Sequence, residues 1–306
     1  MSQSQTDGPS DAGSIGGQWL VLAAAILWGT TGTAQAFAPD GATPLSVGAV
    51  RLVFGGLTLL IWAAARGSFR NGLHLPLKPT LVAAGGIAVY QICFFAGVAR
   101  TGVAVGTIVG IGTAPVWAGA LDWLVVGQRP GRRWLLATGL AIIGSTLLIA
   151  GGSSISVDPL GVLLALGAGL AYAIYTLASK QLLAGRSPDL VMAVVFVLGA
   201  LILLPIFISS DLSWLAKPGG MAVAFHLGVI TVGIAYALFA RGLMAIAASS
   251  AVTLTLAEPL TAAMLGVVVL GERLAPVALI GIALLFAGLA TLSIRQPATE
   301  KWEKLD

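Results

Sequence analysis

Glu258 is a carboxylate in the middle of a long apolar stretch, and that depth suggests chemistry. Ionisable groups deep within a membrane are costly and usually face a cavity or a partner. Glu258 could bind the amine of a substrate, carry a proton, or cap backbone groups that the adjacent Pro259 leaves free. The residue alone leaves these three roles open.

Aromatic and polar residues recur at helical spacing in several apolar stretches. Trp28 shares a helical face with Thr31, and Tyr172 shares one with Tyr175. A cavity between such faces would offer rings and hydroxyl groups with little fixed charge, which suits a zwitterion with an apolar side chain or a flat cation. Ordinary packing is the alternative for each residue. The predicted cavity residues are Trp28, Thr31, Tyr90, Phe94, Tyr172, Tyr175, Tyr236 and Glu258.

His226 and Arg51 also lie inside apolar stretches. A histidine titrates near neutrality unless its surroundings shift it, so His226, like Glu258, is a candidate for coupling to protons. A structural, hydrogen-bonded histidine is the alternative. Arg51 is interpreted as extending its long side chain back to water, with an extracellular gate or a counter-ion as the alternatives.

Pro115 and Pro259 are predicted hinges. Each lies inside an apolar stretch of helical length, where proline removes one hydrogen bond and clashes with the preceding turn. Gly106, Gly110 and Gly112 precede Pro115 and further soften that stretch. We expect bending at the two prolines to open and close the predicted cavity.

Patterns for catalysis and metal binding are absent from the sequence. Cys93 is the only cysteine and there are 2 histidines, too few for a disulfide framework or a histidine-built metal centre. No phosphate-binding loop of the Gly-x-x-x-x-Gly-Lys-Ser/Thr type occurs, so ATP is not the direct energy source. We therefore predict no catalytic residue, no metal and no cofactor.

The composition places these residues in a membrane protein. Of the 306 residues, 58% are hydrophobic and 9% are charged, and the mean hydropathy is +0.98. Soluble domains carry about 25% charged residues, so a soluble globular enzyme is excluded. The formal net charge of +4 comes from scattered basic residues without a basic run, so nucleic acid is not an expected partner.

Ten apolar blocks of helical length follow one another, separated by turn residues. About 20 helical residues cross a hydrocarbon core of roughly 30 Å, whereas strands of a membrane barrel alternate over about ten residues. The sequence predicts an all-α polytopic membrane protein with ten transmembrane helices. The predicted spans are 18–38, 44–66, 79–100, 103–126, 131–150, 159–183, 188–209, 218–240, 248–270 and 275–295.

Basic residues set the predicted orientation. With a cytoplasmic N-terminus, the inner connections and the C-terminal tail hold most lysines and arginines, whereas the outer connections hold Arg100, Lys217 and Arg273. The positive-inside rule then places both termini in the cytoplasm. A cleaved secretory signal ending near residues 34–36 is the alternative, but residues 1–17 contain no lysine or arginine.

The two halves of the sequence repeat each other. A shift of 144 residues aligns the apolar blocks of both halves and superposes Pro44 on Pro188 and Pro115 on Pro259. Because each repeat has an odd number of spans, the second copy must cross the membrane in the opposite sense, as in transporters that work by alternating access. A duplication that serves only packing is the alternative. The predicted units are 1–17, a disordered N-terminal tail; 18–150 and 159–295, two inverted five-helix repeats around a central cavity; and 296–306, a C-terminal tail.

Four short patterns carry a resemblance to a known family. They are Trp28-Gly29, Arg51-Leu52, Glu258-Pro259-Leu260 and Gly271-Glu272-Arg273. Over residues 18–295 the chain resembles the drug/metabolite transporter superfamily, in particular its ten-helix EamA-type proteins, and is most similar to the aromatic amino acid exporters of the YddG type. The resemblance implies export of amino acids, with cationic drugs as a further class, across a bacterial inner membrane. The first repeat departs from the pattern, since Ala114-Pro115 replaces Glu-Pro and Gln128 replaces the glutamate after Gly127.

The sequence therefore predicts a secondary transporter, not an enzyme, that exports amino acids, neutral and aromatic ones included. Efflux of multiple drugs or quaternary cations is the alternative, since Glu258 and the tyrosines also suit a cation. An intramembrane hydrolase that uses Ser250 or Glu258 with His226 is a remote alternative, without a His-Glu-x-x-His helix. The expected partners are the lipid bilayer and a small-molecule substrate, with no nucleic acid and no obligate protein partner.

Overall fold

A computed structural model describes residues 11–70, 72–127, 129–150, 158–271 and 275–293. These residues form helices and turns, with no strand among them, which confirms the all-α fold class. Residues 1–10 and the predicted C-terminal tail lie outside the described part, as do Gln128, Glu272 and Arg273 of the sequence patterns.

The helices follow the apolar blocks closely, with breaks that the blocks do not reveal. The first half forms α1 (Asp11–Gly29), α2 (Thr31–Ala36), α3 (Pro44–Ala65), α4 (Leu77–Leu121), a π-helical turn (Asp122–Val126) and α5 (Arg132–Ala150). The second half forms α6 (Pro159–Leu183), α7 (Pro188–Ser209), a 3-10 turn (Ser213–Ala216), α8 (Pro218–Phe225), a π-helical segment (His226–Ile234), α9 (Ala235–Ala245), α10 (Ala248–Leu254), α11 (Ala257–Leu270) and α12 (Pro276–Ser293).

The start of α1 corrects the expectation of a disordered tail up to residue 17. The helix begins at Asp11, so residues 11–17 are helical. Gly17 is buried, and a β-carbon on it would lie 2.6 Å from Cβ of Ala245. The backbone of α1 thus packs directly on the end of α9 at this position.

The helical run α4 doubles back on itself. A β-carbon on Gly106 would lie 2.6 Å from Cγ2 of Val98, and one on Gly110 would lie 3.3 Å from Cδ2 of Phe94. In a straight helix, residues eight positions apart are separated by about 12 Å along the axis. The chain therefore reverses between Val98 and Gly106, and the two parts of α4 correspond to the third and fourth predicted spans.

A capping box fixes the start of α3. The hydroxyl of Thr43 accepts a hydrogen bond from the Ser46 N–H at 3.2 Å, and the hydroxyl of Ser46 accepts one from the Thr43 N–H at 3.0 Å. Pro44 occupies the first helical position, where no N–H is needed. Arg51 follows about two turns later and is buried.

Helices α5 and α12 pack backbone to backbone. A β-carbon on Gly144 would lie 2.7 Å from the carbonyl oxygen of Gly281, and one on Gly288 would lie 2.7 Å from that of Ala137. The residue number of the partner falls as the number in α5 rises, so the two helices are antiparallel. Small residues at the contact let the backbones approach this closely.

Seven helical stretches of the described part are long and apolar enough to cross a membrane, with mean hydropathies between 1.4 and 3.0. They include Leu77–Thr101 and Val109–Val126, the two arms of α4. The apolar helix Pro276–Leu292 is shorter. These stretches make the chain a polytopic membrane protein by length and composition, and the count of ten spans stays a prediction.

Candidate functional site

A small cavity with about 20 Å³ of free space lies between α1, α3, α4, α6, α9 and the junction of α10 with α11. Small-molecule sites combine apolar walls with a few polar groups. The wall of this cavity has that composition. It is formed by Trp28, Arg51, Tyr90, Gly110, Ile111, Ala114, Tyr172, Tyr236, Thr255 and Glu258.

Trp28 is held in the wall from two sides. Its indole N–H donates a hydrogen bond to the carbonyl oxygen of Thr231 at 2.8 Å, and its ring centroid lies 4.7 Å from that of Tyr236. Thr231 belongs to the π-helical segment His226–Ile234, a conformation that is rare in helices and frequent at functional sites. The indole therefore presents a fixed aromatic face to the cavity.

Tyr90 and Tyr172 extend this aromatic wall, with ring centroids 5.3 Å apart. Tyr172 also meets Trp28 edge to face at 6.5 Å, so rings from α1, α4 and α6 form one surface. The hydroxyl of Tyr172 is buried and has no hydrogen-bond partner among the described residues. Because an unpaired buried hydroxyl is costly, this group is available to a ligand.

Arg51 and Glu258 are the charged side chains of the cavity wall. Arg51 is only 7% exposed, and its Nε has no hydrogen-bond partner in the part of the chain that the structure describes. The ion pairs formed within that part involve neither Arg51 nor Glu258. A guanidinium and a carboxylate thus border one cavity without pairing directly with each other.

The burial of Arg51 corrects its interpretation as a side chain that extends back to water. Its neighbours Val47, Val50 and Leu52 are buried as well, so this part of α3 is enclosed by other helices. Sequence reasoning left Arg51 out of the cavity, along with Thr255 and the small residues of α4. A cation within an apolar span was the available signal for Arg51, whereas nothing in the sequence marks Thr255.

A break in the ninth apolar stretch positions Glu258. Helix α10 ends at Leu254 and α11 begins at Ala257, and the carbonyl of Thr255 accepts a hydrogen bond from the Glu258 N–H at 2.9 Å. Pro259, the third residue of α11, has no N–H that could extend the helical pattern back to Thr255. Glu258 therefore lies in the first turn of α11, where the helix dipole favours negative charge.

The two predicted hinges lie in different backbone surroundings. Pro259 follows the break between α10 and α11, whereas Pro115 lies inside the continuous run of α4. Both adjoin the cavity, since the preceding residues, Ala114 and Glu258, line it. The repeat-related positions are thus equivalent in sequence and unequal in conformation.

Tyr175 and Phe94 were predicted to line the cavity, and the structure places them behind its wall. Tyr175 is fully buried, and its hydroxyl donates to Sδ of Met192 at 3.5 Å. Phe94 stacks on Tyr90 with ring centroids 5.6 Å apart. Both support rings that do face the cavity, which is the packing role that the sequence left open.

Thr31 and His226 lie outside the cavity wall. The hydroxyl of Thr31 is buried without a hydrogen-bond partner among the described residues. Nε2 of His226 lies 2.7 Å from the hydroxyl oxygen of Thr30, in hydrogen-bond contact. His226 thus joins the π-helical segment to the junction of α1 with α2, in agreement with its structural alternative.

An ionic cluster around the buried carboxylate of Asp189 joins three helices away from the cavity. The carboxylate of Asp189, near the start of α7, lies 3.1 Å from Nε of Arg66 and 2.6 Å from Nη2 of Arg241. Trp62 Nε1 donates a further hydrogen bond to it at 3.2 Å. This Asp189 cluster ties the end of α3 and the middle of α9 to α7.

Comparison with known proteins adds independent findings. The EamA-like transporter family model matches the chain over residues 15–150 and again over 159–294. The chain is 46% identical over 276 residues to the uncharacterized transporter YwfM of Bacillus subtilis (strain 168), with 90% of this chain and 92% of that protein covered. It is 29% identical over 290 residues to the threonine/homoserine exporter RhtA of Escherichia coli (strain K12), with 92% and 93% covered.

A solved crystal structure shares the fold. It superposes with a TM-score of 0.78 at 21% sequence identity and covers 90% of this chain and 95% of that chain. The aromatic-exporter branch of the resemblance stays a prediction. The family model that matches both halves describes transporters, and the named relatives are transporters and not enzymes. The chain is a member of the EamA-like transporter family.

Proposed function

We propose that this transporter exports amino acids, neutral and aromatic ones included, from the bacterial cytoplasm by alternating access. The single observation that carries the proposal is the cavity, in which an aromatic wall around Trp28 is combined with one guanidinium and one carboxylate. Aromatic faces accept apolar side chains, and opposite charges suit the two ends of a zwitterion. The name of RhtA, a threonine/homoserine exporter, supports the same substrate class.

Two inverted five-helix repeats with ten spans would supply the alternating access. The separate matches of the family model to the two halves support this arrangement. The contact of Gly17 with Ala245 has a counterpart in the contact of Gly161 with Thr101. Gly161 lies 144 residues after Gly17, and Thr101 lies 144 residues before Ala245. The antiparallel pair of α5 and α12, which would be equivalent helices of the two repeats, supports opposite orientations.

Both termini lie in the cytoplasm in this proposal. The positive-inside rule supports it, because the ends of helices that carry Arg66, Lys180, Arg186 and Arg241 share one face of the ten-span arrangement. Arg51 and the turn between the arms of α4 then lie toward the outer face.

Efflux of quaternary or aromatic cations is the competing function. The aromatic wall and Glu258 suit a cation, whereas the buried guanidinium of Arg51 in the same cavity repels one. A cavity with both charges favours a zwitterion. The family assignment argues against the hydrolase alternative, and Ser250 and His226 do not line the cavity.

Uptake into proteoliposomes tests the proposal. Purified protein is reconstituted, and uptake of labelled threonine, phenylalanine and a bipyridinium cation is followed with and without a pH gradient, with protein-free liposomes as the control. We expect uptake of both amino acids above the control, accelerated by unlabelled amino acid inside the vesicles. Transport of the bipyridinium cation without any transport of amino acids would contradict the proposal.

A further inference from the structure

The guanidinium of Arg51 borders the cavity without a counter-charge in contact. The residue is only 7% exposed, and its Nε has no hydrogen-bond partner among the described residues. Buried charges in proteins are normally paired or hydrogen-bonded, because desolvation is costly. The Nε–H of Arg51 is therefore available to an acceptor that enters the cavity.

Glu258 does not fill that role. It borders the same cavity, yet no ion pair within the described part of the chain joins it to Arg51. The Asp189 cluster shows the contrast: Arg66 and Arg241 approach their carboxylate to 3.1 and 2.6 Å. In the cavity Arg51 and Glu258 instead border the same enclosed space without the direct contact that the Asp189 cluster has.

Local structure makes Arg51 a fixed feature of the wall. The capping box of Thr43 and Ser46 holds the first turn of α3, and Val50 and Leu52 on either side are 1% and 0% exposed. A planar guanidinium held in this way matches the geometry of a carboxylate, with which it can form two parallel hydrogen bonds. A lysine or a solvated arginine would bind the same group less specifically.

We propose that Arg51 binds the α-carboxylate of the substrate while Glu258 faces its ammonium group, so that zwitterionic α-amino acids are the substrate class. The inference rests on the proposed function and adds to it the residue that selects for the carboxylate. The aromatic wall formed by Trp28, Tyr90 and Tyr172 receives the side chain of the amino acid. An amino acid amide retains the ammonium group and the side chain but meets Arg51 with no negative charge.

Binding of matched ligands to the purified full-length protein tests this assignment. Affinities for threonine and threonine amide, and for phenylalanine and phenylalanine amide, are measured by calorimetry on wild type, Arg51→Gln, Arg51→Lys and the control Arg100→Gln. Arg100 is exposed and pairs with Asp158 away from the cavity. Since a hydrogen bond to a charged group contributes about 1.5–3 kcal/mol, wild type is expected to prefer each acid over its amide on the order of 10- to 100-fold.

Arg51→Gln should remove this preference by weakening the binding of the acids, with the amides bound as tightly as before or more tightly. Arg51→Lys should retain part of the preference, and Arg100→Gln should retain all of it. Equal binding of acids and amides by wild type would overturn the assignment without any variant, so a poorly folded Arg51→Gln protein does not obscure the result. The assignment would also be overturned if Arg51→Gln still bound the acids more tightly than the amides, or if it bound both more weakly by the same factor.

The outcomes separate this inference from the proposed function. Amino acid uptake by wild type together with an unchanged acid preference in Arg51→Gln would reject the role of Arg51 and leave amino acid export in place. Wild-type protein that neither binds nor transports any of the amino acids would reject both.

Discussion

Trp28 connects the two halves of the chain through one hydrogen bond and one ring contact, to Thr231 and Tyr236. Trp28→Phe keeps most of the aromatic area but removes the indole N–H that donates to the carbonyl of Thr231, a hydrogen bond that contributes about 0.5–1.5 kcal/mol. We expect a lower midpoint of thermal unfolding and a higher KM for the substrate. Trp19→Phe in the same helix is the control, since Trp19 is 64% exposed and should tolerate the change.

An unchanged unfolding midpoint in Trp28→Phe would show that the hydrogen bond to Thr231 does not stabilise the fold. An unchanged KM would show that the indole is packing only.

Glu258 offers a test of proton coupling at the level of one side chain. Glu258→Gln removes the charge and keeps the shape, so uptake into proteoliposomes should no longer respond to an imposed pH gradient, while exchange of labelled for unlabelled substrate continues with a higher KM because the ammonium group loses its carboxylate. His226→Gln is the comparison, because histidine also titrates near neutrality but His226 bonds Thr30 outside the cavity wall. It should keep the response. A pH profile of Glu258→Gln that matches wild type would remove the proton role.

At the scale of helices, the break between α10 and α11 is the feature that places Glu258 and Thr255 at the cavity. Pro259→Ala supplies the missing N–H, which lets the two helices join through a hydrogen bond to the carbonyl of Thr255. Pro115→Ala likewise restores a hydrogen bond inside α4. We expect both variants to slow turnover by a larger factor than they change substrate affinity, as measured by transport and binding on the same preparations.

Pro205→Ala is the matched control for these variants. Pro205 lies inside α7, is exposed and does not line the cavity. Its replacement should leave turnover and affinity unchanged. Normal turnover in both Pro115→Ala and Pro259→Ala would refute bending at these positions as the motion that opens the cavity.

At the scale of the whole molecule, the Asp189 cluster joins the end of α3 to α7 and to the middle of α9, on the side that the proposed orientation makes cytoplasmic. Asp189→Asn leaves Arg66 and Arg241 without their carboxylate, and because these arginines are 58% and 30% exposed, the expected loss is about 1 kcal/mol. The midpoint of thermal unfolding should fall.

The same substitution should also change access to the cavity. With Cys93→Ala removing the only cysteine, an Ala114→Cys probe in the cavity wall should react faster in Asp189→Asn than in the parent protein with a thiol reagent applied from the cytoplasmic side.

Arg100→Gln serves as the control for Asp189→Asn. The pair of Arg100 with Asp158 spans 3.3 Å between side chains that are 49% and 32% exposed, and exposed pairs contribute little. Neither the midpoint nor the labelling rate should change. If Asp189→Asn behaved in the same way, the cluster would have no part in closing the cytoplasmic side.

Opposite orientation of the two halves can be tested across the membrane. In the Cys93→Ala background, Arg129→Cys follows α4 and Ala275→Cys precedes α12, at nearly equivalent positions of the two repeats. A membrane-impermeant maleimide added to intact cells should label Ala275→Cys and spare Arg129→Cys. Labelling of both from the same side would exclude inverted repeats.

The pattern of apolar blocks foretold the all-α class and most helix bounds, because about 20 consecutive apolar residues are stable in a bilayer only as a helix. Breaks in the helices within these blocks were harder to predict from the sequence. The π-helical segment at His226–Ile234 and the break after Leu254 leave the hydrophobicity of the chain unchanged, so only Pro259 hinted at one of them. The helical start at Asp11 was not predicted either, because residues 11–17 are polar and rich in glycine.

The sequence by itself determined that this protein is helical, lies in a membrane and belongs with transporters, since composition, length of apolar blocks and the internal repeat are properties of the chain alone. It also singled out Trp28, Tyr90, Tyr172, Tyr236 and Glu258, which do line the cavity. Only the tertiary structure decided that Arg51 joins them and that Tyr175 and Phe94 stand behind them. Which side of a helix faces a cavity depends on the neighbouring helices, and those lie far away along the chain.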